Sequence, residues 1–86
     1  METNPAFYGL SAKIQLKELT SNRLGIYKVI KSRIILKDAA KIVAIAHQIK
    51  SRFPKINIVL LSTRNICSKS IALLEKENIK IEYVEL

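Results

Sequence analysis

Apolar and polar residues alternate from Ala12 to Leu19, with Ala12, Ile14, Leu16 and Leu19 set against Lys13, Gln15, Lys17 and Glu18. That period of two marks a strand with one buried face. The run Thr20-Ser21-Asn22-Arg23-Leu24-Gly25 follows and predicts a turn, with a second strand returning from Ile26 to Ile30 as a hairpin. In residues 26–36 (IYKVIKSRIIL) the β-branched content favours strand, while Ile26, Ile30 and Ile34 also stand at helical spacing. From Lys37 to Phe53 the pattern changes. Ala39, Ile42, Val43, Ala46, Ile49 and Phe53 recur at three- and four-residue steps, which predicts a helix with Asp38 at its N-terminal dipole and Pro54 as its stop. Small Ala39, Ala40, Ala44 and Ala46 let such a helix sit close to a sheet.

Lys55 to Ser62 (KINIVLLS) is an almost unbroken apolar run, the pattern of a strand covered on both faces. A second helix is predicted from Lys69 to Asn78, capped by Ser68 and burying Ile71, Ala72 and Leu74; a last strand runs from Ile79 to Leu86. The order is ββαβαβ, an α/β fold in which a four-stranded mixed sheet carries two helices. Two β-α-β crossovers end the chain and should be right-handed. Residues 12–86 form this single compact domain, and residues 1–11, with Phe7 and Tyr8 but no sustained period, form an N-terminal arm.

Composition narrows the classes. A chain of 86 residues, 49% hydrophobic and 26% charged, is one folded domain rather than a disordered tail or a two-domain enzyme. One cysteine and one histidine exclude an internal disulfide framework and every Cys/His zinc pattern. No apolar run is long enough to span a bilayer and the N-terminus lacks a signal-peptide pattern, so a cytoplasmic protein without membrane contact is expected.

Charge adds the first functional direction. The net charge is +8, and it is uneven: residues 1–73 hold 13 bases against Glu2, Glu18 and Asp38, a balance of +10, whereas residues 74–86 hold 4 acids against Lys76 and Lys80, a balance of −2. A basic body favours a polyanionic partner, most simply nucleic acid. The bland alternative is a surface charged for solubility, as AT-rich genomes and hot habitats also produce.

Two groups of residues carry that direction. Lys28, Lys31, Arg33, Lys37 and Lys41 run from the second strand into the first helix, placed to follow a phosphate backbone without reading bases. Arg64 and Lys69, with the phosphate-loop candidates Thr63, Asn65 and Ser68, lie between a strand and a helix, where α/β sheets present loops and helix N-terminal amides to ligands. An ordinary connection that caps its helix is the alternative reading of the second group. Aromatics, at 6%, are too sparse for a base-stacking platform, and Tyr27 and Tyr83 read as core-edge residues.

Catalytic chemistry finds little support. Asp38 is the only carboxylate between Glu18 and Glu75, whereas metal-dependent phosphodiester hydrolysis gathers two or more carboxylates at one point. No catalytic residue, metal ligand or cofactor is assigned, and a small active nuclease would have only Glu18, Asp38 and Lys31 to use. His47 reads as a structural helix residue. Cys67, near a helix start that lowers a thiol pKa, reads as filler without a base beside it.

The hairpin, the stretch Tyr27-Lys28-Val29-Ile30-Lys31-Ser32-Arg33, the Ala-rich helix, the strand Ile56 to Leu61, a short helix and a last strand together resemble the core of the restriction-endonuclease-like PD-(D/E)XK superfamily over residues 12–86. Within it the chain looks like the nuclease domain of archaeal XPF-type repair nucleases, where an E-R-K-S-like stretch precedes a helix. Setting Lys31-Ser32 on the family's K-S puts Val29 where the acid belongs. Setting Lys31-x-Arg33 on E-x-K replaces the acid by Lys31 and the lysine by Arg33. The preceding family aspartate would fall in Ala12 to Leu19, which offers only Glu18. The resemblance therefore implies a degenerate, non-catalytic relative that keeps a nucleic-acid surface, DNA before RNA, and assists a larger repair nuclease. A second resemblance, to L7Ae-like RNA-binding proteins, covers residues 55–86 and lacks their glycine-containing contact motif.

A third class is a structural module, a homodimer pairing through Ile42, Ile45 and Ile49 of a wide apolar helix stripe. Against it stands an arm that folds back through Phe7, Tyr8 and Leu10 to cover the excess.

Overall fold

The hairpin consists of Gln15–Thr20 (β1) and Arg23–Lys28 (β2), paired antiparallel with Leu16 opposite Ile26 and Glu18 opposite Leu24 in the computed structural model, which describes residues 2–85. The turn is tighter than its composition suggests. Thr20 pairs with Arg23, leaving Ser21 and Asn22 as the turn, and the register shifts between Glu18 and Thr20, an irregularity that lets the strand bend into the turn. Arg23, Leu24 and Gly25, expected in the turn, belong to β2. Gly25 suits a strand here because the space of its missing side chain is filled: a Cβ would lie 2.9 Å from Cδ1 of Leu61. The first strand starts at Gln15 rather than Ala12, because Ile14 N–H closes a turn onto Ser11 O at 3.1 Å.

After Lys28 the chain leaves the sheet, and Ile34 forms an isolated parallel bridge with Ile66 outside the strands. Leu36–Arg52 (α1), Asn57–Ser62 (β3), Ser68–Lys76 (α2) and Lys80–Tyr83 (β4) complete the order ββαβαβ. The sheet order is β1-β2-β3-β4, with β3 parallel to both β2 and β4. This is the four-stranded mixed sheet with two helices that the hydrophobic pattern predicts. Both crossovers step the same way, so the helices share one face. Leu24, Ile26, Ile58 and Leu60 of that face form the core with Ala39, Ile42, Ala46 and Ile49 of α1 and Leu74 of α2. Val59 and Leu61 line the other face and are also buried, so β3 is covered on both sides as its apolar run predicts.

The helix ends follow capping chemistry. Asp38 Oδ2 accepts from Ile35 N–H at 3.1 Å and relieves the first turn of α1. The cap of α2 is Cys67, not the expected Ser68: its sulfur accepts from Ser70 N–H at 3.4 Å. Beyond α2, Asn78 takes a left-handed φ of 59° and Ile79 N–H returns to Leu74 O at 2.9 Å, a C-terminal stop that asparagine tolerates.

Pro5–Tyr8 form a single 3-10 turn stopped by Gly9 at φ 73°. Tyr8 is buried, Leu10 packs on the core, and Phe7 stays exposed. Phe53, expected on the buried face of the helix, instead joins this aromatic group, stacked on Phe7 with centroids 6.1 Å apart. Of the predicted pairing stripe, Ile42 and Ile49 are at most 3% exposed and are spent on the sheet. Ile45 remains half-buried. The final strand closes at Tyr83, and Leu86 lies outside the described residues. No helix among the described residues is long and apolar enough to cross a membrane.

Candidate nucleic-acid interface

β2, β3 and β4 run parallel and end together near Lys28, Ser62 and Tyr83. The two loops that leave this end are sewn to each other. Ile34 N–H donates to Asn65 O at 2.9 Å, Cys67 N–H to Ile34 O at 3.0 Å, and the Asn65 side-chain amide to Lys31 O at 3.2 Å. Thr63 adds a weaker link, its hydroxyl donating to Ile30 O at 3.5 Å and accepting from Asn65 N–H at 3.3 Å. Thr63 and Asn65, expected to meet a phosphate, thus spend these bonds fixing one loop to the other. Ser68 stands exposed on the first turn of α2.

This stitching sets the cations. Lys31, Arg33, Arg64 and Lys69 are exposed on the two loops and the start of α2; Lys37 and Lys41 are exposed on the first turns of α1, and Lys28 is half-buried where β2 ends. All seven belong to segments that begin or end at this end of the sheet. Asp38, the acid closest to them in sequence, is turned onto the Ile35 amide. The Arg64 guanidinium lies 4.7 Å from the centroid of the Tyr83 ring, a cation–π contact that holds the side chain out along β4. Lys31, Arg64, Tyr83 and Glu85 border a shallow groove of about 430 Å³, and Lys13, Lys28, Asp38 and Lys41 border another of about 250 Å³ beside β1. Lys13, Tyr83 and Glu85 are the residues that sequence reasoning missed at this end. From the sequence, Tyr83 reads as an alternating strand position and a core-edge residue.

Cys67 lies within the same loop. Its sulfur is 2.9 Å from Ser70 Oγ, and hydrogen bonds from that hydroxyl and from the Ser70 backbone, with a smaller contribution from the Arg33 charge, hold the thiol below its usual pKa. Ser70 itself is fully buried and also reaches Ile34 O at 3.4 Å. At the other end of the molecule, burial, helped by the Glu2 charge, pushes the Tyr8 phenol up.

Glu18 and Asp38, the acids weighed as metal ligands, stand on different elements. Glu18 pairs with Leu24 near the hairpin turn, whereas Asp38 and Lys31 follow the far end of β2. Along the extended strand, Leu24 and Lys28 lie about 13 Å apart at the usual rise per residue. His47, on α1, bonds through Nε2 to Glu77 Oε1 at 3.0 Å and ties α1 to the end of α2. Among the described residues no three His, Cys, Asp or Glu side chains form a group able to hold a metal ion.

Comparison with known proteins finds no matching family model and no matching curated protein. Solved structures do share the fold. The chain is similar to EndoMS in its apo form, with a TM-score of 0.67 and 16% identity over 84% of this chain and 34% of that one. It is also similar to a repair endonuclease from Pyrococcus abyssi, with a TM-score of 0.63 and 12% identity over 84% of this chain and 31% of that one. The chain spans about a third of the length of these structures. The likeness is one of fold, a fold that also occurs in a repair endonuclease, and it has no XPF-specific feature.

Proposed function

We propose that this chain is a non-catalytic, nucleic-acid-binding accessory domain on a degenerate PD-(D/E)XK-type nuclease fold, acting on DNA beside a larger repair nuclease. The observation that carries this reading is the bonding of the loop after β2 to the loop after β3, which joins Lys31 and Arg33 to Arg64 and Lys69 at one end of the sheet. Cations held on a fixed frame contact phosphates with less ordering cost than free side chains. The separation of Glu18 from Asp38 and Lys31 supports a binding rather than a cleaving role, since a metal-dependent nuclease converges its carboxylates on the ion.

A second reading, a small active nuclease, draws on the similarity to a repair endonuclease. One assay separates the two. Purified chain is incubated with labelled duplex and branched DNA and magnesium or manganese, with binding followed in parallel. Retention of intact DNA is expected. Cleavage that disappears in a Glu18→Gln or Asp38→Asn variant favours the active nuclease.

A further inference from the structure

β4 is an edge of the sheet, paired with β3 on one side only. Val84 N–H donates to Ser62 O at 2.7 Å, and successive residues of a strand direct their backbone groups to opposite sides. The even-numbered residues of β4 therefore face β3, and Ile81 and Tyr83 direct theirs outward. Such a row of outward groups is a template for another strand.

The side chains specify which strand. In an antiparallel copy of β4 centred on Ile81, Ile81 faces Ile81, Lys80 faces Glu82 and Ile79 faces Tyr83. The outward backbone groups of Ile81 then exchange both of their hydrogen bonds with the second Ile81, and each Tyr83 N–H meets an Ile79 carbonyl. Each Lys80 meets a Glu82 at the non-hydrogen-bonded positions, where side chains approach most closely. Other centres fail. On Glu82 the two acids oppose each other; on Tyr83 the apolar Ile81 is set against Glu85. Backbone parity admits all of these centres, and charge selects the one on Ile81, in which Glu82, bonded within its own chain to Arg23, takes Lys80 of the second copy as a further partner. On the helix side, the groove of about 690 Å³ between α2 and β4, bordered by Ile71, Ile79 and Ile81, receives the partner's Tyr83 ring, which is 42% exposed in the single chain.

We propose that β4 is a self-pairing edge, through which two copies of this chain join into one continuous sheet in the register centred on Ile81. This does not depend on whether the chain binds nucleic acid. Light scattering or sedimentation over a concentration series provides the test. The wild-type chain forms a dimer, and Lys80→Glu and Glu82→Lys, each alone, weaken it by at least about ten-fold because like charges then face each other twice. An equimolar mixture of the two variants restores opposite charges across the junction and pairs more tightly than either alone. In the wild-type chain the amides of Ile81 and Tyr83 exchange more slowly as concentration rises. A chain that stays monomeric with both amides exchanging freely leaves the edge to some other strand and overturns the proposal, as does a mixture no tighter than its components.

Discussion

The Asn65 side-chain amide donates to the Lys31 carbonyl oxygen across 3.2 Å and 34 positions of sequence, joining the two loops that carry Lys31, Arg33 and Arg64. One exposed side chain thus positions cations from two separate stretches. Asn65→Ala removes that bond while leaving the Ile34 to Asn65 and Cys67 to Ile34 backbone links in place. Global stability should fall by no more than about 1 kcal/mol in urea titration. DNA affinity should fall several-fold without any loss of charge, because the cations must then be ordered on binding. Unchanged affinity would mean that the amide does not organise the surface.

Gly25 and Leu61 meet on the face of the sheet opposite the helices. A methyl group at Gly25 would stand 2.9 Å from Leu61 Cδ1 and 3.2 Å from its Cγ, and Leu61 is buried in the central strand with little room to yield. Gly25→Ala should cost about 1–3 kcal/mol by overpacking, read as a lower urea midpoint at constant slope. Pairing it with Leu61→Val should recover part of the loss. A neutral Gly25→Ala would show that the Leu61 side chain turns aside freely.

The Cys67 thiol is held below its usual pKa chiefly by the Ser70 hydroxyl. Since the thiolate is the reactive form, alkylation of the native chain should rise with pH through a midpoint below the ordinary value of 9.0. In Ser70→Ala that midpoint moves up, toward the free-thiol value. By linkage the sign for stability is fixed: the folded state favours the thiolate, so this contribution is present above the unfolded-state pKa and is lost as pH falls through the folded one. An alkylation profile indifferent to Ser70 would remove the hydroxyl as cause.

Much of the fold is legible from periodicity because burial obeys it. Ala39, Ile42, Ala46 and Ile49 recur at helical spacing and are the residues of α1 that reach the core, and the continuous run of β3 is buried from Ile58 onward. Where sequence reasoning departs from the structure, a tertiary contact decides. Arg23, Leu24 and Gly25 have turn composition, yet they extend because β3 pairs with them in register from Asn57. Val29 to Arg33 have strand composition, yet they leave the sheet because the ladder with β3 ends at Lys28 and Ser62. Ile42 and Ile49 look surplus on a helical wheel until the sheet and the packed arm claim the space.

The cation-bearing end is legible to a lesser degree. Composition placed Lys28 to Lys41 and Arg64 to Lys69 in two groups, and nothing in the sequence joined them. The join is made by backbone atoms of Ile34, Asn65 and Cys67, whose pairing depends on where the strands end rather than on side-chain type. Lys13 and Tyr83 enter only through the antiparallel fold-back of β1 and the parallel position of β4.

The salt dependence of DNA binding tests the central claim most directly. Affinity of the wild-type chain for a duplex is measured by fluorescence anisotropy from low to moderate salt, beside a Lys31→Glu, Arg33→Glu, Arg64→Glu variant whose substitutions all lie at exposed loop positions. Each phosphate contact should contribute about −0.9 to the slope of log affinity on log salt. The account predicts a steep wild-type slope, a shallower one for the variant, and a loss of affinity that is similar across DNA sequences. Binding that ignores salt, or a variant that binds as tightly as the wild type, would contradict it.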